Sequence, residues 1–189
     1  MPNWSGAILT NKGRNLLAKV QQGRCNLTCT KMKLGSGTIS GSQTLETLTD
    51  LVEPKQNLGI TNLTFQETGY CEISATVTNE GLQTGYYVKE AGLFATDPDD
   101  GEILYAVTTD TAPDYLPAEG GATIVSEEFC MAIGFNNVSD ISAVLNATSL
   151  ITLSQAQAMH KKLLRICPMS EKPTMMDEDG IWVEVPEEE

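Results

Sequence analysis

The chain has a single histidine, His160, among its 189 residues. That scarcity excludes much familiar chemistry. A hydrolase triad needs a base, and none is available in the body of the chain. His160 sits beside Lys161 and Lys162, with no partner at ligand spacing. Long apolar runs are missing too, so no segment reaches the roughly 20 residues of a membrane-spanning helix. The opening MPNWSGAILT lacks the charged start and apolar stretch of a signal peptide. Basic residues are sparse after the N-terminal portion: residues 46–153 hold Lys55 and Lys89 and no arginine. Residues 1–45 hold no acid, and the net charge is −13. An acidic body repels nucleic acid and anionic membrane surfaces, so neither nucleic-acid binding nor membrane insertion is expected. The cysteines, Cys25, Cys29, Cys71, Cys130 and Cys167, are odd in number. Without a signal peptide they read as reduced thiols of a protein made in a cytoplasm. Cys25 and Cys29 have no second pair and no nearby histidine, which argues against zinc.

What is present suits one domain with an appendage. Thr10 can cap a first helix and Gly23 can end it. Leu9, Gly13, Leu16, Leu17 and Val20 share its apolar face. Lys12, Asn15, Lys19 and Gln22 share the other, which should be wet or meet a partner. LTCTKMKLGSG reads as a strand with Met32 and Leu34 inward, then a turn. GSQTLETLTDL spaces Leu45, Leu48 and Leu51 as a short helix would. LGITNLTFQE and YCEISATVTNE read as a hairpin about Glu67–Gly69. TIVSEEFCMAIGF and VSDISAVLNAT read as the last strands of the body, joined tightly at Asn136–Asn137. Beyond 152 the character changes. Ser154–Gln157 is a capping box, and Ala156, Met159, Leu163 and Ile166 form an apolar seam over 154–166. GIWVEV reads as one isolated strand. The expected class is α+β: an N-terminal helix packed on a β-rich antiparallel sheet or sandwich, with a short C-terminal helix and acidic tail. The expected boundaries are 1–152 and 153–189.

Asp97, Asp99, Asp100 and Glu102 crowd one stretch. They lack the length and flanking helices of an EF-hand. Pro98 and Asp100-Gly101 instead suit a hairpin tip, with Asp side chains bonding nearby amides. Glu127 and Glu128 are adjacent on a strand and point to opposite faces, so they make no catalytic dyad. No cofactor, metal or catalytic residue is expected. Tyr70, Tyr86, Tyr87, Tyr105, Tyr115 and Trp182 are the residues of a second reading, a soluble receptor- or carbohydrate-binding β module.

Three stretches resemble the N-terminal domain of phage tail-collar fibre proteins, across roughly residues 5–148. AILTNKGRNLLAKV is similar to that family's opening helix. TKMKLGSG is similar to its following strand and turn, although family members often carry Asp where this chain has Ser36. YYVKEAGLF, followed by GEILYAV, is similar to its most characteristic segment through Lys89, Glu90, Gly92, Leu93 and Phe94. The resemblance implies a virion tail protein made in a bacterial host, structural rather than enzymatic. It would attach a fibre to the baseplate or act as a short fibre or adaptor. Its partners would be baseplate and fibre proteins, and the implied state is a homotrimer. The segment Lys89–Phe94 would then order a sheet junction or an inter-subunit contact, with Gly92 where another backbone comes close. Met159, Leu163 and Ile166 would help hold copies together. Family members usually continue into a long shaft and receptor-binding tip, whereas only about forty residues follow the matched region here.

Overall fold

The structure, a computed structural model, describes residues 4–66, 70–120, 125–134, 141–145, 164–168 and 181–185. The chain divides into two compact units, Met1–Leu150 and Ile151–Glu189. The first unit opens with β1 (Ile8–Leu9), α1 (Asn11–Gln21), β2 (Leu27–Gly35), β3 (Pro54–Leu58), β4 (Ile60–Gln66) and β5 (Tyr70–Thr78). It continues with β6 (Tyr86–Tyr87), β7 (Glu90–Asp97), β8 (Gly101–Thr109), β9 (Tyr115–Leu116), β10 (Ser126–Gly134) and β11 (Ile141–Ala143). One sheet runs β1-β8-β7-β2-β11, with β3 also paired to β2. A second runs β10-β5-β4, and β6 pairs with β9.

The main core lies where the two larger sheets meet. Leu27, Cys29, Met32, Leu34, Leu93 and Tyr105 of the first sheet join Ile73, Ala75, Met131 and Ile133 of the second. A smaller cluster joins Leu48 and Leu51 to Phe94, Leu104 and Val107. β2 contributes both halves of its length to the main core because its register with β7 shifts between Cys29 and Lys31. The extra residue turns Leu27 and Cys29 to the same side as Met32 and Leu34.

Helix α1 starts and stops where its end residues dictate. The Thr10 Oγ1 accepts from the Gly13 amide at 2.9 Å. At the far end Gly23 takes φ 70°. Its amide donates to Val20, and the Arg24 amide donates to Lys19, a Schellman closure.

Several expectations are corrected. The class is β-rich rather than α+β: strands make up most of the described residues, and α1 is the one α-helix among them. It covers one patch of a core that is otherwise sheet against sheet. The short helix expected around Leu45, Leu48 and Leu51 is instead a single 3₁₀ turn, Leu45–Thr47. There the Thr47 hydroxyl donates to the Thr44 carbonyl and accepts from its amide, competing with helical bonding. β10 and β11 do not pair with each other. β10 pairs with β5, whereas β11 runs parallel to β2, with Ile141 opposite Leu27. Burying Ile141 beside Leu27 favours that crossing, and Asn136–Asn137 lie outside the described residues.

In the second unit, most of the expected 154–166 helix, including Met159 and Leu163, lies outside the described residues. From Leu164 the chain is strand, not helix: β12 (Leu164–Pro168) pairs in parallel with β13 (Ile181–Val185). Ile166 therefore faces a strand register opposite Val183 rather than a helical seam, and GIWVEV is not isolated. A three-turn helix is marginal alone, while β-branched Ile166, Ile181, Val183 and Val185 suit paired strands.

Candidate functional site

β7 begins at the charged pair Lys89-Glu90, and the two residues have opposite fates. Glu90 is 2% exposed. Its Oε1 accepts from the amides of Gly37 at 2.9 Å and Glu53 at 2.8 Å. Its Oε2 accepts from the Val52 amide at 2.9 Å. An acceptor-only group thus satisfies three loop donors that face inward. The neighbouring backbone closes the same junction, with the Ser36 amide donating to Glu53 and the Lys89 amide to Gly35. Gly37 makes room for the carboxylate: a Cβ there would lie 2.5 Å from Glu90 Oε1 and 2.7 Å from the Glu53 nitrogen. Lys89 is half-buried, and its positive charge helps hold the Glu53 carboxyl below its usual range, after the larger effects of Lys55 and Ser36.

Gly92, Leu93 and Phe94 follow inside the sheet. A Cβ on Gly92 would meet Leu104 Cδ1 at 2.7 Å and Leu51 Cδ2 at 2.9 Å. The close neighbours are therefore leucine side chains, not the backbone that the sequence suggests. Leu93 packs in the main core and Phe94 in the smaller cluster. The register shift between them is accompanied by this split. On the far side of Phe94, Lys33 Nζ stands 4.3 Å from the ring centroid and pairs with Asp50 at 2.8 Å.

At the other end of β7 the acidic cluster forms the tip of the β7–β8 hairpin. Asp97 Oδ1 accepts from the amides of Asp99 at 2.8 Å and Asp100 at 3.1 Å. The polar face of α1 lies against this tip. Lys19 Nζ is 2.7 Å from Asp97 and 2.8 Å from Asp99, and Lys12 Nζ is 3.0 Å from Asp100. Burial alone would raise the Asp97 carboxyl, but Lys19 and the two amides outweigh it and hold the group below its usual range. A depressed folded-state value means that the unfolded chain binds more protons in that window, so stability rises with pH there. The contribution is full above the ordinary Asp value of about 3.9 and is lost as pH falls through the folded value. Thermal melts between pH 6 and pH 3 (about one unit below the ordinary Asp range) should show this loss, and Asp97→Asn should flatten the acid slope. An unchanged slope in the variant would show that Asp97 does not fasten the tip.

The family comparison agrees with the segments that build this junction. A model of the N-terminal domain of phage tail-collar fibre proteins matches residues 1–157. The chain belongs to the phage tail-collar fibre family. No curated protein and no solved structure matches it. The chain is thus a virion tail component with a structural role in the tail fibre, in a family whose members are structural rather than typically enzymatic. Such a component meets other proteins of the tail.

The other candidate residues of this collar-fibre domain are scattered. Tyr86 and Tyr105 are buried. Tyr87 and Tyr115 are exposed and paired, with ring centroids 5.1 Å apart and tilted by 59°. The Trp182 side chain lies outside what is described, and Tyr70 sits on the other sheet. Among the described side chains, the five tyrosines form no common sugar platform. Among the described residues no group of three or more His, Cys, Asp or Glu side chains could hold a metal. No helix among them is long and apolar enough to cross a membrane. Burial pushes the Cys29 thiol up to about 12, helped by Cys71 nearby, so this thiol is a poor nucleophile. The Tyr105 hydroxyl is buried without a hydrogen-bond partner among the described residues. Tyr105→Phe should therefore leave the urea midpoint unchanged or raise stability by about 1 kcal/mol. A loss larger than that would reveal a partner for the hydroxyl.

The loop partners of Glu90 and the lysine clamp on the hairpin tip were missed from sequence. Backbone amides carry no residue signature, and Lys19 and Asp97 lie far apart in the chain. The glycines of Gly35-Ser36-Gly37 were the one visible hint that something approaches closely.

Proposed function

We propose that this domain seats a tail fibre on the baseplate, as an adaptor or short fibre, and that it works as a homotrimer. The family match over residues 1–157 carries this reading. The geometry supports it through rigidity: Glu90 ties β7 to two loops, and α1 is clamped to the opposite end of the same strand. A seat that transmits force between two proteins benefits from both ties. Lys89, Glu90, Gly92, Leu93 and Phe94 serve assembly by holding this junction in shape, with Lys89 the member nearest solvent. Residues 1–152 form the attachment domain. Residues 153–189 are the appendage, whose Met159, Leu163 and Ile166 help hold the copies together.

The test is made on particles. An epitope-tagged chain should label at the baseplate by immunogold microscopy, and deletion of the gene should leave tails with baseplates but no fibres. Native mass spectrometry should give three copies, and truncation after Leu153 should reduce that number. Label along the tail tube, or fibres retained after deletion, would sink the seating role. Unchanged stoichiometry after truncation would remove the appendage from the assembly.

A further inference from the structure

β10 is an unusual edge. It pairs with β5 over its full length, Ser126 to Gly134, without a register shift. Among the described residues no strand and no backbone hydrogen bond occupies its other side. Half of its amides and carbonyls therefore point outward with no backbone partner among the described residues. Natural edges are blunted by proline, lysine, bulges or brevity. β10 has none of these; its charges are confined to Glu127 and Glu128, and the stretch after them, FCMAIG, is apolar.

A cleft of about 560 Å³ runs along this edge. Glu127, Glu128, Phe129 and Cys130 all line it. Consecutive strand residues alternate between sheet faces, so a cleft touched by all four follows the strand's edge rather than covering one face. Trp4 closes part of it, packed edge-on against Phe129 with centroids 5.1 Å apart. Asp114, Glu127 and Glu128 line it and are exposed, and among the described residues no Lys, Arg or His lines it. None of these three makes an ion pair among the described residues, whereas Lys12, Lys19, Lys31, Lys33 and Lys55 are each already paired within the chain.

We infer that the β10 edge is a strand-addition site for an extended segment of a neighbouring tail protein. The segment carries basic residues that meet Asp114, Glu127 and Glu128, and apolar residues that meet Trp4 and Phe129. Backbone pairing supplies affinity and the acidic wall supplies the choice of partner. A second copy of this chain is the poorer occupant, since it is itself strongly acidic and five of its lysines are already paired within the chain. The inference deepens the seating role proposed above by naming the kind of segment that the domain grips.

The probe is a blocked nine-residue peptide (matched to the length of β10) of alternating lysine and valine. It is titrated into the full chain carrying Trp182→Phe, so that Trp4 fluorescence reports the cleft. Saturable binding is expected, with alternate β10 amides exchanging at least about tenfold more slowly in the complex, as newly bonded edge amides should. Glu127→Gln with Glu128→Gln should weaken binding roughly twofold, the scale of one exposed charge pair, since the two residues face opposite sides of the sheet and only one meets the lysine face of the peptide. The same peptide with glutamate for lysine should not bind. Absence of binding, equal binding of the glutamate peptide, or unaltered β10 exchange would overturn the inference. Concentration-dependent dimerisation that protects β10 without peptide would also overturn it, by making a second copy the occupant. Failure here with baseplate labelling intact would refute only this site. Peptide binding with label elsewhere would refute only the seating role.

Discussion

Glu90→Ala should remove about 4 kcal/mol of stability, the largest loss expected of any side chain in the junction. The reason lies in what the carboxylate leaves behind. The amides of Gly37, Val52 and Glu53 all donate to it within 2.9 Å. No other acceptor is bonded to them among the described residues. Each stranded buried amide costs about 1–3 kcal/mol, less where water reaches it. The two loops they belong to would loosen together, because both are tied to β7 through this one group. Glu90→Gln is the informative companion. Its single oxygen can keep the bonds to Gly37 and Glu53, but its NH₂ then faces the Val52 amide, donor against donor. A loss of about 2 kcal/mol is expected there. Urea midpoints at constant m-value measure both losses. Hydrogen exchange should show the Gly37, Val52 and Glu53 amides released while β8 stays protected. An alanine variant within about 1 kcal/mol of the parent would mean that the three amides find other partners.

The legible parts of this fold were those with local causes. Thr10 and Gly23 marked the ends of α1 because a cap hydroxyl and a left-handed closing residue act within one turn. Asp97 and Gly101 marked a hairpin tip for the same kind of reason. The illegible parts depended on distant partners. A register shift inside β2 sends Leu27 and Cys29 to the core side along with Met32 and Leu34, against simple alternation. β11 leaves its sequence neighbour β10 for the far edge of β2. Ile166 sat in a convincing helical seam, yet Leu164–Pro168 pairs with Ile181–Val185 as strand. At the site, the segment from Lys89 to Phe94 stood out by resemblance. Its physical meaning stayed hidden, because Glu90 grips backbone amides, and every residue except proline has one.

Gly13→Ala tests the junction of helix and sheet, and here two principles predict opposite signs. In an exposed helix, alanine is better than glycine by about 1 kcal/mol, through reduced backbone entropy loss. Gly13 is buried against β8 instead. A Cβ there would overlap the Tyr105 carbonyl oxygen, with the Tyr105 carbonyl carbon 2.9 Å away. These are backbone atoms, and they cannot swing aside as a side chain can. They are also committed: the same Tyr105 carbonyl accepts from the Thr10 amide at 3.0 Å, and the Thr10 hydroxyl bonds the Leu104 carbonyl. Relieving the overlap would lift the first turn of α1 off the sheet and break its cap together. The helix would also shift Lys19 from Asp97, which it grips from two turns further on. Overpacking of this kind costs about 1–3 kcal/mol before such secondary losses, so a net destabilisation of about 3 kcal/mol or more is expected. Asn15→Ala, on the exposed face of the same helix, should instead be neutral or stabilising by a few tenths, about 0.5 kcal/mol at most. Chemical denaturation of the pair decides between the principles. If Gly13→Ala is as benign as Asn15→Ala, the helix does not approach β8 as closely as its cap geometry requires.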